Sequence, residues 1–155
     1  MKNLLKLILC ILIPLAIGAI SGIVTTSKIG TWYKMLNKPF FNPPNYIFGP
    51  VWSLLYILMG ISFYLILQST NNEKRSLAIS IFLFQLILNF LWSFLFFKYQ
   101  LLGAAFIEIL LLWGSIVYMI IVFYRINKTA GIIQIPYLLW VSFASILSGS
   151  ILWLN

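Results

Sequence analysis

The sequence contains almost none of the side chains that carry acid–base or metal chemistry. Among 155 residues there is no histidine, one cysteine (Cys10) and two acidic residues, Glu73 and Glu108. A Ser-His-Asp triad and a histidine-based metal site are therefore impossible. Cys10 has no second cysteine to pair with, so no redox compartment can be inferred from it. We accordingly expect no metal site and no resident cofactor.

Charge of either sign is also scarce. Charged residues make up 8% of the chain and hydrophobic residues 63%, whereas a soluble domain carries about 25% charged residues. The net charge is +8, but the basic residues flank apolar runs instead of forming one patch. This distribution is typical of anchoring to anionic lipid head groups, not of nucleic-acid binding. The composition predicts an integral membrane protein whose partner is membrane lipid and not nucleic acid.

The apolar residues are grouped into runs long enough to cross a bilayer, which takes about 20 helical residues. Short polar turns separate most of the runs, so neighbouring helices must be antiparallel. We predict an all-α membrane protein, a single domain over residues 1–155, built as a compact bundle of five transmembrane helices. The predicted helices are residues 4–24, 46–67, 77–97, 101–124 and 132–154.

The link between the first two runs, residues 25–45, is much longer than the other turns. Long connections in small domains are usually functional. Pro39, Pro43 and Pro44 restrict its backbone, so it can hold one shape as a lid over a pocket. Glu73, in contrast, is expected to be a solvated charge in the second turn.

The positive-inside rule orients the bundle. Six of the ten Lys and Arg residues flank the runs on the side of the N-terminus, and four lie on the side of the long link. The sequence therefore predicts an N-terminus inside the cell and a lid outside it.

Polar side chains within the runs have two interpretations each. Gln85 and Asn89 lie one turn apart on one helix face, and they either join helices through hydrogen bonds or orient a ligand. Glu108 is the acid within a predicted span, which marks either a structural hydrogen bond or a functional site. Gly18 and Gly22 form a G-x-x-x-G pattern that favours either a dimer face or packing within the chain.

Aromatic residues are abundant, at 17% of the chain. Trp52 and Tyr56 share a face of the second predicted helix, and Tyr137, Trp140 and Ala144 share a face of the fifth. Such faces either pack together or enclose a slot for a flat apolar ligand. The sequence is compatible with both.

Four segments resemble a known family. W-Y-x-x-L-x-K-P-x-x-x-P-P at 32–44, F-G-P-V-W-x-x-L-Y-x-x-M-G at 48–60, Q-L-x-L-N-x-x-W-S at 85–93 and P-Y-x-x-W-V-x-F-A at 136–144 are similar to the TspO/MBR family. Its other names are tryptophan-rich sensory protein, translocator protein and peripheral-type benzodiazepine receptor. The resemblance implies five transmembrane helices, a homodimer, and a pocket beneath the first long loop that binds protoporphyrin IX and drug-like ligands. The short termini and the composition suggest a bacterial member, in the cell membrane.

The resemblance also implies site residues. The expected pocket lining is Tyr33, Pro43, Phe48, Trp52, Asn89, Phe90, Trp140 and Ala144. Lys34 and Lys38 in the lid are placed to pair with porphyrin propionates, and Gln85 to orient the ligand. Trp52 and Trp140 would be catalytic if the protein degrades porphyrin photochemically. The Tyr and Arg of the eukaryotic cholesterol motif are missing from residues 147–155, so the resemblance does not extend to cholesterol.

Three functions remain open at this point. The first is a receptor or sensor that binds porphyrin without transforming it. The second is a light- and oxygen-dependent enzyme that degrades porphyrin. The third is a transporter of small amphipathic or lipidic molecules. No histidine is present to ligate haem iron, so the metal-free porphyrin is the favoured ligand.

Overall fold

The computed structural model describes residues 2–70 and 74–155, so Glu73 lies outside the described residues. The helices are α1 Lys2–Ile29, α2 Trp32–Met35, α3 Asn45–Gln68, α4 Arg75–Ser93, α5 Leu102–Ile126, α6 Lys128–Ile133 and α7 Ile135–Leu154. A π-helical turn, Phe94–Lys98, continues α4. Within the described residues, five helical segments are long and apolar enough to cross a membrane. The predicted all-α fold with five transmembrane helices is thereby confirmed.

The most extensive contacts between helices are those of α1 with α3, of α4 with α5, and of α5 with α7. Its core is continuous across these helices. Phe63 of α3 stacks on Phe82 of α4 with ring centroids 4.1 Å apart. In a bilayer the backbone polar groups must be satisfied within each helix, and long helices achieve this. The fold therefore depends on side-chain packing between helices.

The predicted lid of residues 25–45 is too long. Helix α1 continues to Ile29, five residues beyond its predicted end, and Thr25, Thr26 and Ser27 donate their hydroxyl hydrogens to carbonyls one turn earlier, at 3.0, 3.2 and 2.8 Å. Their polar character predicts a loop, but each hydroxyl bonds to a carbonyl of the same helix and is therefore satisfied there. The lid segment is therefore residues 30–44, and it contains the short helix α2.

The predicted fifth span is also more complex than one helix. It consists of α6 and α7, with a break at Gln134. Asn127 caps α6, since its side-chain oxygen accepts a hydrogen bond from the Ala130 N–H at 3.1 Å. Pro136 lies in the first turn of α7, where a missing N–H costs little.

Candidate functional site

A cavity of about 540 Å³ lies inside the bundle beneath the lid segment. Helices α1, α3, α4, α5 and α7 and the π-helical turn supply its walls, and Tyr33 of α2 lies above it. Ligand pockets in proteins usually measure about 300–1,000 Å³. The cavity is therefore large enough for a small organic molecule.

Two indoles from different helices face this cavity. Trp52 of α3 and Trp140 of α7 both line it. Trp52 stacks on Tyr56 with ring centroids 5.5 Å apart and an interplanar angle of 28°. Trp140 contacts Phe48 edge to face, at 6.0 Å. Because each indole is held by a second ring, the aromatic surfaces are positioned before any ligand arrives.

A chain of buried hydrogen bonds supports the cavity from below. Tyr56 donates its hydroxyl hydrogen to Asn89 Oδ1 at 2.6 Å, and Asn89 Nδ2 donates to the Tyr137 hydroxyl at 3.0 Å. Tyr137 in turn donates to Gln85 Oε1 at 2.9 Å. Tyr56 and Asn89 line the cavity, whereas Gln85 and Tyr137 are buried behind it. Asn89 thus serves both interpretations of the polar stripe, since it joins three helices and also faces the cavity.

Several polar atoms at the cavity are buried without a hydrogen-bond partner among the described residues. They are the indole nitrogens of Trp92 and Trp140 and the hydroxyls of Ser21 and Ser148. Buried polar atoms nearly always have a partner. An indole N–H can only donate, and a serine hydroxyl can also donate. The cavity therefore favours a ligand that carries hydrogen-bond acceptors on an apolar framework.

The lid segment holds Tyr33 over the cavity. The Tyr33 side chain is buried, and its hydroxyl donates to Asn42 Oδ1 at 2.7 Å. Burial raises the pKa of Tyr33 to about 12, although the hydrogen bond to Asn42 opposes this shift. The phenol is therefore neutral at physiological pH.

Lys38 stabilises the lid segment from within. Its ammonium donates to the carbonyls of Tyr33 and Leu36, at 2.9 and 2.7 Å, and lies 5.1 Å from the centroid of the Tyr33 ring. Lys34 is exposed. Neither lysine lines the cavity in the part of the chain that the structure describes. The proposed contacts with propionates stay a prediction, and for Lys38 they require the ammonium to leave its present carbonyls.

The predicted site residues of the lid and the helices, including Gln85, separate into two groups. The structure brings together at the cavity Tyr33, Phe48, Trp52, Asn89, Trp140 and Ala144. Pro43, Phe90 and Gln85 lie elsewhere in the described bundle. Phe90 follows Asn89 directly and so points about 100° away around the helix, where it contacts Phe94 at 4.7 Å. Gln85 lies behind the wall and acts through Tyr137.

Sequence reasoning missed most of the contribution of α1. Gly18, Ser21, Gly22 and Thr25 of this helix line the cavity. The signal was a row of small residues at helical spacing, which was interpreted only in terms of helix packing. Gly18 does pack within the chain, because a Cβ there would lie 2.1 Å from the Tyr56 ring. Phe96 and Phe97 of the π-helical turn also line the cavity and were not predicted, although such turns are frequent at functional sites.

Metal chemistry finds no support in the described chain. Within residues 2–70 and 74–155, no three His, Cys, Asp or Glu side chains are grouped closely enough to hold a metal ion. Glu108 is buried and neither of its carboxylate oxygens has a hydrogen-bond partner among these residues. The lining of the cavity is instead mainly aromatic and aliphatic.

Comparison with known proteins gives this site its context. The model of the TspO/MBR family matches residues 10–154. The chain belongs to the TspO/MBR family. It is 43% identical over 154 residues to the tryptophan-rich protein TspO of Archaeoglobus fulgidus, covering 99% of both chains. It is also 43% identical to the tryptophan-rich protein TspO of Chlorobaculum tepidum over 157 residues, covering 99% of this chain and 98% of the relative.

The family extends to animals. The human translocator protein is 33% identical over 119 residues, which cover 76% of this chain and 70% of the human protein. The tryptophan-rich sensory protein of Cereibacter sphaeroides is 30% identical over 140 residues, which cover 90% of this chain. The chain is thus a multi-pass membrane protein of the TspO/MBR family. This membership supports a membrane sensor or receptor.

Proposed function

We propose that this protein is a membrane receptor or sensor that binds a metal-free porphyrin, protoporphyrin IX, in the aromatic cavity, along with drug-like ligands of the benzodiazepine-receptor class. The observation that carries the proposal is the convergence of Trp52 and Trp140, from α3 and α7, on one cavity of about 540 Å³. Indole faces stack on flat conjugated rings. The cavity size lies within the usual range for ligand pockets.

The polar groups of the cavity suit the same ligand. A porphyrin carries ring nitrogens and propionate oxygens that accept hydrogen bonds. The unpartnered donors of Trp92, Trp140, Ser21 and Ser148 can meet such acceptors. The chain has no histidine, so the commonest axial ligand of haem iron is missing. We therefore expect protoporphyrin IX to bind more tightly than haem.

The binding test is a titration of protoporphyrin IX into the purified protein, followed by tryptophan fluorescence and by the porphyrin absorption band. Trp52→Ala and Trp140→Ala should each weaken binding by about tenfold or more, because an aromatic contact contributes about 1.4 kcal/mol or more in such a site. Trp153→Ala is the matched control, since Trp153 is 91% exposed and lies away from this cavity. Unchanged affinity in both cavity variants would contradict the proposal.

A second candidate function is photochemical degradation of the porphyrin. It is favoured by the stacking of Trp52 on Tyr56 at 5.5 Å, which places two oxidisable rings in contact at the cavity wall. In this mechanism light excites the porphyrin, an indole donates an electron to it, and dioxygen is the oxidant that the reaction consumes. Loss of the porphyrin band only on illumination, with a defined product and dependence on Trp52 and Trp140, would support this function. Bleaching in the light at the same rate as for free pigment would leave a binding protein.

We further propose that the protein is a homodimer in a bacterial cell membrane, with the N-terminus inside and the lid segment outside. Phe40 of the lid segment is fully exposed, so it offers a site for a reporter cysteine. Phe40→Cys in whole cells should react with a membrane-impermeant maleimide, while Cys10, which is buried, should not. Labelling of Phe40→Cys only after cell lysis would show that the lid segment lies inside the cell and would contradict the proposed orientation.

A further inference from the structure

We propose that the ligand enters the cavity sideways from the membrane, through a gap between α1 and α3. The proposal rests on the proposed function, because it describes how the same cavity is filled. We call this gap the lateral mouth. Its rim is formed by Ala19, Gly22 and Thr26 of α1 and by Gly49 and Ser53 of α3.

The two helices are in close contact on one side of the mouth. A Cβ at Gly60 of α3 would lie 2.4 Å from the Ile11 Cα atom, and a Cβ at Gly18 of α1 would lie 2.1 Å from the Tyr56 ring. Between these two contacts there is no room for a ligand. The seam between α1 and α3 is therefore closed in the half of the membrane nearer the N-terminus of α1.

Towards the C-terminal end of α1 and the N-terminal end of α3, residues of both helices line the cavity. Gly22 and Gly49 both line the cavity, and a Cβ added to either would meet no atom within 4 Å. Because glycine has no side chain, no side-chain atoms of these two residues narrow the opening between the helices. A space for a ligand thus begins where the contact between the helices ends.

The pattern of exposure shows where the cavity is open. Among the described lining residues, the exposed ones are Ala19, Thr26, Asn45, Gly49 and Ser53. All of them belong to α1 or α3. The lining residues of α4, α5 and α7 are buried or half-buried, and Tyr33 of the lid segment is 4% exposed. The opening therefore faces outward between α1 and α3, and the lid segment covers the top.

The depth of the mouth places it against lipid. Ser53 lies eight residues after Asn45, the first residue of α3, which is roughly 12 Å along a helix. The hydrocarbon core of a bilayer is about 30 Å thick. Ser53 thus lies within the membrane-spanning segment Asn45–Gln68, and the route suits an apolar compound that is already dissolved in the membrane.

The polar atoms of the mouth fit this environment. Ser53 Oγ donates to the Gly49 carbonyl at 2.9 Å, and Thr26 Oγ1 donates to the Ile23 carbonyl at 3.2 Å, so the rim hydroxyls are satisfied within their own helices. Just inside, Ser21 lines the cavity, is 5% exposed, and its hydroxyl has no partner among the described residues. Ser21 is placed to give an incoming ligand its first hydrogen bond.

The test measures both rate constants of protoporphyrin IX binding to the protein in lipid nanodiscs by stopped-flow fluorescence. Gly22→Trp and Gly49→Trp narrow the mouth and should slow association and dissociation together, each by about tenfold or more. A side chain that merely disturbs the bound ligand would raise the dissociation rate instead. Gly114→Trp is the matched control, because Gly114 is exposed on α5 and equally free of neighbours. It should leave both rates unchanged.

Labelled cysteine variants cover the case in which a tryptophan variant does not fold. If a tryptophan variant does not fold, Thr26→Cys or Ser53→Cys labelled with a bulky maleimide after folding replaces it and should have the same effect. Rates unchanged by every mouth variant would overturn the lateral mouth alone. Lack of saturable binding by the unmodified protein would overturn the proposed function and the mouth with it.

Discussion

Asn37 of the lid segment and Asn155, the residue that follows α7, hold each other by reciprocal hydrogen bonds. The Asn37 backbone N–H donates to Asn155 Oδ1 at 3.0 Å, and Asn155 Nδ2 donates to the Asn37 carbonyl at 2.9 Å. A third bond runs from Asn37 Nδ2 to the Leu154 carbonyl at 3.3 Å. The two residues are 118 positions apart in sequence, and their contact fastens the lid to the far end of the chain.

Replacing Asn155 should therefore loosen the lid without unfolding the bundle. Asn155→Ala removes both side-chain bonds to Asn37, and each hydrogen bond contributes about 1 kcal/mol. We expect amide exchange in residues 32–44 to become at least about fivefold faster, measured by mass spectrometry. Ser150→Ala is the control, since the Ser150 hydroxyl bonds only to its own helix, at the Ile146 carbonyl. Equal exchange in both variants would show that the pair does not hold the lid.

The same variant separates the two routes into the cavity. If the ligand passed beneath the lid, a looser lid in Asn155→Ala would accelerate association. Under the lateral route the association rate stays at its original value. An increase of about threefold or more, beyond the usual scatter among variants of one site, would favour passage beneath the lid.

The closed part of the α1–α3 seam should not tolerate a single methyl group. A Cβ at Gly60 would lie 2.4 Å from the Ile11 Cα atom and 2.7 Å from the Cys10 carbonyl oxygen. Such overpacking costs about 1–3 kcal/mol, and it exceeds the gain of up to about 1 kcal/mol from replacing glycine in a helix. We expect Gly60→Ala to lower the thermal midpoint. Gly114→Ala, with no atom within 4 Å of its Cβ, should keep or raise it.

Asn89 should be required for stability as well as for binding. Asn89→Leu leaves the Tyr56 hydroxyl without the acceptor that it has now, at 2.6 Å, and removes the donor to the Tyr137 hydroxyl, at 3.0 Å, which then keeps its bond to Gln85. An unsatisfied buried polar group costs about 1–3 kcal/mol. We expect Asn89→Leu to lower the thermal midpoint of unfolding. Ser53→Ala is the control and should leave the midpoint unchanged, because the Ser53 hydroxyl bonds only within α3. A midpoint equal to that of the unmodified protein would mean that the chain of hydrogen bonds contributes nothing.

The ionisation of Tyr33 sets an alkaline limit for the lid. Its pKa is raised from 10.0 to about 12 by burial, so the folded lid favours the neutral phenol. The resulting stabilisation is complete below about pH 10 and is lost as the pH rises from there to about 12. Amide exchange of residues 32–44, corrected for its intrinsic pH dependence, should reveal this loss in the unmodified protein but not in Tyr33→Phe. Lid opening that begins below pH 9 would contradict the assignment.

Glu108 distinguishes the receptor from the transporter. Neither carboxylate oxygen has a hydrogen-bond partner among the described residues, and the side chain does not line the cavity. We therefore expect Glu108→Gln to bind protoporphyrin IX with unchanged affinity. If the protein is a receptor, neither the unmodified protein nor Glu108→Gln should carry protoporphyrin IX across the membrane of proteoliposomes. Loss of flux with retained binding would assign the protein to the transporters and give Glu108 its role.

The pattern of predicted residues shows which inferences a single sequence allows. The sequence indicates Asn89 because an amide within an apolar helix faces the bundle interior, and it indicates Trp52 because this residue shares a helix face with Tyr56. Phe90, one residue further along, was placed at the cavity by resemblance, but a step of about 100° around the helix takes it to Phe94 instead. Lys38 was assigned to the ligand, and its ammonium is bound by the carbonyls of its own loop. Residue type alone does not tell where a flexible charged side chain ends.

The amino-acid sequence by itself determined that this chain is a membrane bundle of five spanning helices, because insertion into a bilayer depends directly on the length and composition of each apolar run. Only the tertiary structure decided that α1 forms one wall of the cavity and that Asn155 fastens the lid. The row of small residues marks one face of α1, but the sequence does not tell whether that face packs against a neighbouring helix or lines a cavity. The contact between Asn37 and Asn155 likewise exists only once α7 has packed against its neighbours and brought its last residue to the lid.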